Sequence, residues 1–146
     1  MNSVPPVTEF TTIINAIWYD IDFGDGSNVS RYFTPEGTLR FDLREFTGHE
    51  EIDGVYAARV ARGARVSRHG ASNVHIVTST EDTAEVVSLV FLYAGDGEAP
   101  IPFTNPAVVS DVLDRYERVD GRWLLSSRQI LSRFKEEGTE LAVPTK

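Results

Sequence analysis

His69 and Asn73 stand four apart in the run Arg68-His69-Gly70-Ala71-Ser72-Asn73, a spacing that puts both on one face of an extended strand. Upstream, Asp22 closes an amphipathic stretch in Asp22-Phe23-Gly24-Asp25. An imidazole held by a carboxylate takes and gives protons near neutral pH, so Asp22 and His69 are the chain's best candidates for chemistry. Asp22 fixes the tautomer and leaves the other ring nitrogen of His69 to act as base. The competing reading has Asp22 facing water, Asp25 capping the next helix and His69 satisfied within the core. Asn73 either binds a substrate oxygen or satisfies backbone groups at a bulge. His75 reads as structural or exposed, and His49 as solvated.

These groups depend on the elements that carry them. After a loose arm over residues 1–7, Phe10, Ile14, Ile17 and Ile21 recur at helical spacing, with Ile13 and Trp18 widening the stripe. Gly24 stops that helix. A short helix at 27–32 leads into a turn at Thr34-Pro35-Glu36-Gly37 and a strand at 37–43. Thr47-Gly48-His49-Glu50 has the capping-box pattern and opens a second helix over 48–62, with Ile52, Val55, Tyr56 and Val60 on its apolar face.

The period then changes to two. Strands are expected at 66–78, 84–93, 108–119 and 122–134, the last two joined by a hairpin at Val119-Asp120-Gly121-Arg122. Residues 95–105 form a longer connection, and the tail after Glu136 is expected to be mobile. Helices followed by a long, curled, mostly antiparallel sheet give an α+β fold, a cone around the N-terminal helices with an internal pocket. Val90 and Val112 are expected among its apolar walls. Asp114 and Tyr116 share a strand face and either reach the pocket or, for Asp114, pair with Arg128 across the hairpin. Trp18, Tyr56 and Trp123 read most simply as core, Trp18 also bordering the pocket.

Composition narrows the options. The 146 residues fit one domain, with a core over about 8–134, and the net charge of −8 disfavours nucleic acid and anionic membrane as partners. Arg59, Arg62, Arg65 and Arg68 gather locally, either on an exposed helix face and the turn after it or as a basic rim that steers an anionic substrate. With no cysteine and three scattered histidines, no metal site is expected. The chain shows no dinucleotide glycine pattern, no nucleophile elbow, no spanning segment and no signal peptide. No cofactor is expected, and the expected location is cytoplasmic.

A family resemblance rests on motifs in order: Asp22-x-x-Asp25, Tyr32-Phe33-Thr34-x-x-Gly37, Phe46-x-Gly48-x-Glu50, Arg68-His69-x-x-x-Asn73, Asp114-x-Tyr116-x-Arg118-x-Asp120-Gly121-Arg122-Trp123, and Arg128. Together they resemble the SnoaL-like branch of the nuclear transport factor 2-like superfamily. The resemblance implies a cone-shaped barrel with a deep pocket, paired through the sheet face into homodimers. Within that branch, scytalone dehydratase places an aspartate on Asp22 and a histidine on His69. Its two pocket tyrosines fall at Ile21 and Leu43, its second histidine near Val90 and its asparagine near Val112. Bile acid dehydratases carry a tyrosine at about Ile17. The dyad is therefore present without the phenolic acids.

The leading expectation is a cofactor-independent dehydratase, isomerase or cyclase acting beside a carbonyl of a cyclic, mostly apolar small molecule. The alternatives are a non-catalytic ligand-binding or oligomerisation module, and a small β-type subunit of an oxygenase.

Overall fold

The computed structural model of the chain describes residues 4–143; the first three residues of the expected N-terminal arm lie outside them. Helix α1 spans Val7–Asp22, and a single 3-10 turn at Val29–Tyr32 leads to strands β1 (Phe33–Phe41) and β2 (Arg44–Thr47). Helix α2 (Gly48–Ala61) is followed by β3 (Arg65–Ser79), β4 (Thr83–Asp96), β5 (Val108–Val119) and β6 (Arg122–Lys135). The strands form one six-stranded sheet in the order β2-β1-β6-β5-β4-β3. β1 runs parallel to β6 and every other pair is antiparallel. The sheet curls around α1 without closing, giving the α+β fold expected of the sequence.

Phe10, Ile14, Ile17, Trp18 and Ile21 of α1 are all buried, as residues along one helical stripe must be when a single face meets a sheet. Val86 and Val90 of β4, Val112 and Tyr116 of β5, and Leu125 of β6 meet that stripe. Alternation along β5 is strict from Val108 to Tyr116, buried residues every second position, because one face packs on the core and the other does not.

Several local expectations are corrected. The proposed turn at 34–37 is part of β1, where the pairing with β6 shifts register between Phe33 and Thr38. Gly37 is required there because a Cβ would stand 2.9 Å from the Leu125 carbonyl oxygen. The strand ends at Phe41 rather than Leu43: Asp42 adopts a positive φ and turns the chain into β2, an element absent from the sequence reading. At the start of α2 it is Glu51, not Glu50, that accepts the Thr47 N–H (2.6 Å). The apolar stripe of α2 narrows to Ile52, Val55 and Tyr56, with Val60 exposed. Within the tail, Leu141, Ala142 and Val143 lie against the body of the domain.

Candidate active site

Two residues one helical turn apart on α1, Trp18 and Asp22, face the same residue of β3. The Trp18 indole stacks on the His69 ring, with centroids 4.3 Å apart and planes 9° from parallel. The Asp22 carboxylate holds the same ring from the side: Oδ1 lies 2.7 Å from His69 Nδ1, and Oδ2 accepts the His69 backbone N–H at 2.6 Å. Ser67, two residues earlier and on the same strand face, donates its hydroxyl to Oδ1 at 2.7 Å. Arg59 of α2 donates in turn from Nη2 to Ser67 Oγ at 2.7 Å. One carboxylate thus collects a ring N–H, a backbone N–H and a hydroxyl.

The tautomer follows from this arrangement. An ionised carboxylate only accepts, so His69 Nδ1 carries the proton and the neutral ring leaves Nε2 with a lone pair. Burial raises the Asp22 carboxyl, but the His69 contacts and the Ser67 hydroxyl together outweigh it and hold the group below its ordinary value. The Asp22 side chain is 4% exposed and that of His69 12%.

The His69 ring borders a cavity of about 70 Å³. Trp18, Ile21, Phe41, Val90, Leu92 and Ile130 give it apolar walls; Tyr56, Arg59, Arg65 and Ser110 give it polar groups. Leu141–Val143 complete the wall, anchored by Arg62, whose Nη1 donates to the Leu141 carbonyl at 2.9 Å.

Tyr56 is the residue that sequence reasoning leaves in the core. It lines the cavity and is 4% exposed, and its hydroxyl makes no hydrogen bond among the described residues. The base of its ring is pinned, since a Cβ on Gly26 would stand 2.7 Å from Tyr56 Cδ1. Burial pushes its hydroxyl pKa up to about 12, against the lowering influence of Arg128 and Arg59, so it remains a proton donor at neutral pH. The available signal is the spacing of Tyr56 and Arg59, three apart on α2 and therefore on one face.

Of the other sequence candidates, Trp18 and Val90 border the cavity and four residues do not. Asn73 has φ 56° and sits where the β3–β4 pairing slips between Ser72 and His75. That bulge reverses the parity shared with His69 and sends Asn73 to the outer face, beside Val87, Leu89, Asp111 and Leu113. Val112 is sealed in the core at 0% exposure. Asp114 is consumed by Arg128, whose Nε and Nη2 each donate to it at 2.8 Å, and Tyr116 donates to the same carboxylate at 3.2 Å. All three are buried, which decides the choice left open for Asp114 in favour of the ion pair. His75 is exposed. His49, expected in solvent, is half-buried with Nε2 2.9 Å from the Phe33 carbonyl oxygen. Among the described residues no three His, Cys, Asp or Glu side chains are grouped to hold a metal ion, and no helix is long and apolar enough to cross a membrane.

Residues 7–129 match the family model for the SnoaL-like domain: the chain belongs to the SnoaL-like family. Among solved structures, it is similar to a protein of unknown function with a cystatin-like fold from Nostoc punctiforme. That protein is 25% identical with a TM-score of 0.72, the match covering 86% of this chain and 90% of the other. A candidate scytalone dehydratase from Novosphingobium aromaticivorans superposes with a TM-score of 0.77 at 16% identity, over 93% and 89% of the two chains. ActVI-ORFA from Streptomyces coelicolor gives 0.75 at 18%, over 86% and 95%. These last two likenesses speak to the fold. No curated protein sequence matches the chain.

Proposed function

We propose that this protein is a cofactor-independent small-molecule enzyme in which His69, oriented by Asp22, removes a proton from the carbon beside a carbonyl. The observation that carries the reading is the 2.7 Å contact between His69 Nδ1 and Asp22 Oδ1, which sets the neutral ring's proton on Nδ1 and its lone pair on Nε2, on a ring that borders an apolar cavity. The Tyr56 hydroxyl donates to the carbonyl oxygen as negative charge develops there, the place where a fixed donor lowers the barrier most. The enolate then expels a β-hydroxyl that leaves as water with the imidazolium proton, takes that proton back at another carbon, or attacks a second carbonyl whose oxygen takes it. These outcomes correspond to a dehydratase, an isomerase and a cyclase.

Walls of tryptophan, phenylalanine and branched aliphatic side chains suit a cyclic, mostly apolar substrate. A cavity of about 70 Å³ is smaller than the ~150 Å³ that admits a benzene ring. Leu141–Val143 therefore swing out when a ring enters. Pairing into a homodimer through the outer sheet face belongs to the same proposal, and analytical ultracentrifugation checks it.

Exchange of α-protons for deuterium, followed by NMR across a panel of cyclic ketones and enones, tests the chemistry and does not require the natural substrate. At least one ketone is expected to exchange faster than in buffer. His69→Gln lowers that rate by about 10²- to 10⁴-fold, the usual reach of a positioned base, with the fold intact. Tight binding without exchange at any pH makes the protein a binding module instead.

A further inference from the structure

Two of the four clustered arginines turn inward. Arg59 and Arg65 both line the cavity, and the Arg65 side chain is only 10% exposed. Each has one modest acceptor. Arg59 Nη2 donates to Ser67 Oγ, and its remaining N–H groups have no partner among the described residues. Arg65 Nη1 reaches Asp96 Oδ1 at 3.1 Å, but that aspartate side chain is 75% exposed, so water screens the pair and it is worth little.

Among the described residues no carboxylate other than Asp96 accepts a hydrogen bond from either guanidinium, although the charge of Asp22 acts on Arg59 through space. Asp22 already receives Ser67 and His69. Asp42, which also borders the cavity, accepts the Ser132 N–H at 2.7 Å and the Ser132 hydroxyl at 2.8 Å. Two guanidiniums therefore share one wall of a largely apolar cavity with donors to spare. Burial, and then the charge of Arg65, lower the pKa of Arg59, and the charge of Asp22 offsets them only in part, as expected of two cations held close.

We infer that the substrate is a carboxylic acid whose carboxylate is gripped by Arg59 and Arg65 at the cavity rim. A planar carboxylate matches the forked donors of guanidinium. It draws in the two cations and fixes which end of the molecule faces outward, leaving the ring and its carbonyl toward Tyr56 and His69. The inference deepens the proposed function and rests on this cavity being the substrate site.

A matched pair of probes tests it: 3-oxocyclohexanecarboxylate and its methyl ester, the same ring and ketone with and without charge. Binding is measured by NMR titration. The carboxylate is expected to bind about 10- to 100-fold more tightly than the ester, the worth of a charge-assisted hydrogen bond or two. Added salt is expected to erode only the carboxylate's affinity. Arg65→Gln removes about tenfold of that carboxylate-over-ester preference, and Arg65→Lys restores part of it. Arg65 is the better first variant, because Arg59 also touches Ser67. Equal affinity for the two probes, no binding of either, or a preference that survives both Arg65→Gln and Arg59→Gln overturns the inference. Deuterium exchange on the same samples separates the two ideas. Exchange that depends on His69 without any carboxylate preference sinks the inference and spares the proposed chemistry. Arginine-dependent binding without exchange does the reverse.

Discussion

Replacing Asp22 by asparagine changes one oxygen into an amide and nothing else in shape, yet it strikes three hydrogen bonds. Oδ1 serves Ser67 and His69 Nδ1; Oδ2 serves the His69 backbone N–H. An amide offers one acceptor and two donors. If its NH₂ lies on the Oδ2 side, it confronts the His69 backbone N–H. If it lies on the Oδ1 side, the imidazole must move its proton to Nε2 to accept from it, and Arg59 already occupies the Ser67 oxygen. Either way a buried donor meets a donor or His69 Nε2 loses its lone pair.

The loss of charged hydrogen bonds in a pocket where the carboxylate is 4% exposed amounts to about 2.5–6 kcal/mol, from ~1.5–3 for a hydrogen bond to a charged group plus ~1–3 for leaving a buried group unsatisfied. Urea unfolding of wild type and Asp22→Asn at pH 7 reads this directly. The pH dependence adds a second check. The Asp22 carboxyl is held below its ordinary value in the folded state, so its stabilisation is complete above the unfolded pKa of about 4. It fades as pH falls below that value and through the depressed folded pKa. The gap between wild type and variant is therefore expected to be widest near neutrality and to close in acid. Nitrogen-15 NMR of the histidine ring should show Nδ1 protonated in the wild type and an altered tautomer in the variant. A variant as stable as wild type at pH 7, with an unchanged tautomer, refutes this reasoning.

Other consequences are equally direct. Tyr56→Phe, which removes a hydroxyl with no partner among the described residues, should alter stability by less than about 1 kcal/mol while α-proton exchange falls about 10²- to 10³-fold; unfolding curves and exchange rates on one sample decide it. Arg128→Met strands the buried Asp114 carboxylate, and about 3–5 kcal/mol of unfolding free energy should be lost by denaturant titration, much of it recovered when Asp114→Leu is added. Gly26→Ala forces a Cβ to 2.7 Å from the Tyr56 ring at a φ of +77°, which should lower stability by more than about 1 kcal/mol in a thermal melt. Ending the chain after Glu137 removes Leu141–Val143 from the cavity wall, so stopped-flow binding of a fluorescent naphthol should accelerate with little change in the melting temperature.

What the sequence discloses depends on whether a signal is local. The α1 stripe, the long strands and the hairpin at Asp120-Gly121 follow from periodicity and turn chemistry, and β5 has the expected bounds. Parity places Asn73 beside His69, and parity holds only until a bulge. The slip after Ser72 carries no marker beyond an asparagine, a residue that tolerates positive φ. Val112, Asp114 and Tyr116 keep their parity with the cavity-lining Ser110, but β5 runs beyond the end of the cavity into the core; depth along a strand is a tertiary property. Tyr56 and the inward turn of Arg59 and Arg65 are hidden for the opposite reason, since a polar tip on a largely apolar stem looks like core or surface until the walls around it exist.

Asp22 is legible because it breaks a local rule. It is the last residue of α1, where the helix dipole disfavours an anion by about 0.3–1 kcal/mol, and the helix has no basic residue in that turn to offset it. Stability alone favours a neutral or cationic side chain there. The fold instead brings β3 across the helix end and supplies a backbone N–H, a ring N–H and a hydroxyl, stationing an arginine behind the hydroxyl. Four groups arranged around one misplaced carboxylate fix an imidazole more rigidly than a single ion pair does. Packing gains nothing from that rigidity, whereas a base that must meet a carbon-bound proton gains most of its rate from it. A local conflict resolved at such length is where function is expected to reside, and it favours reading His69 as a working base over a satisfied core histidine.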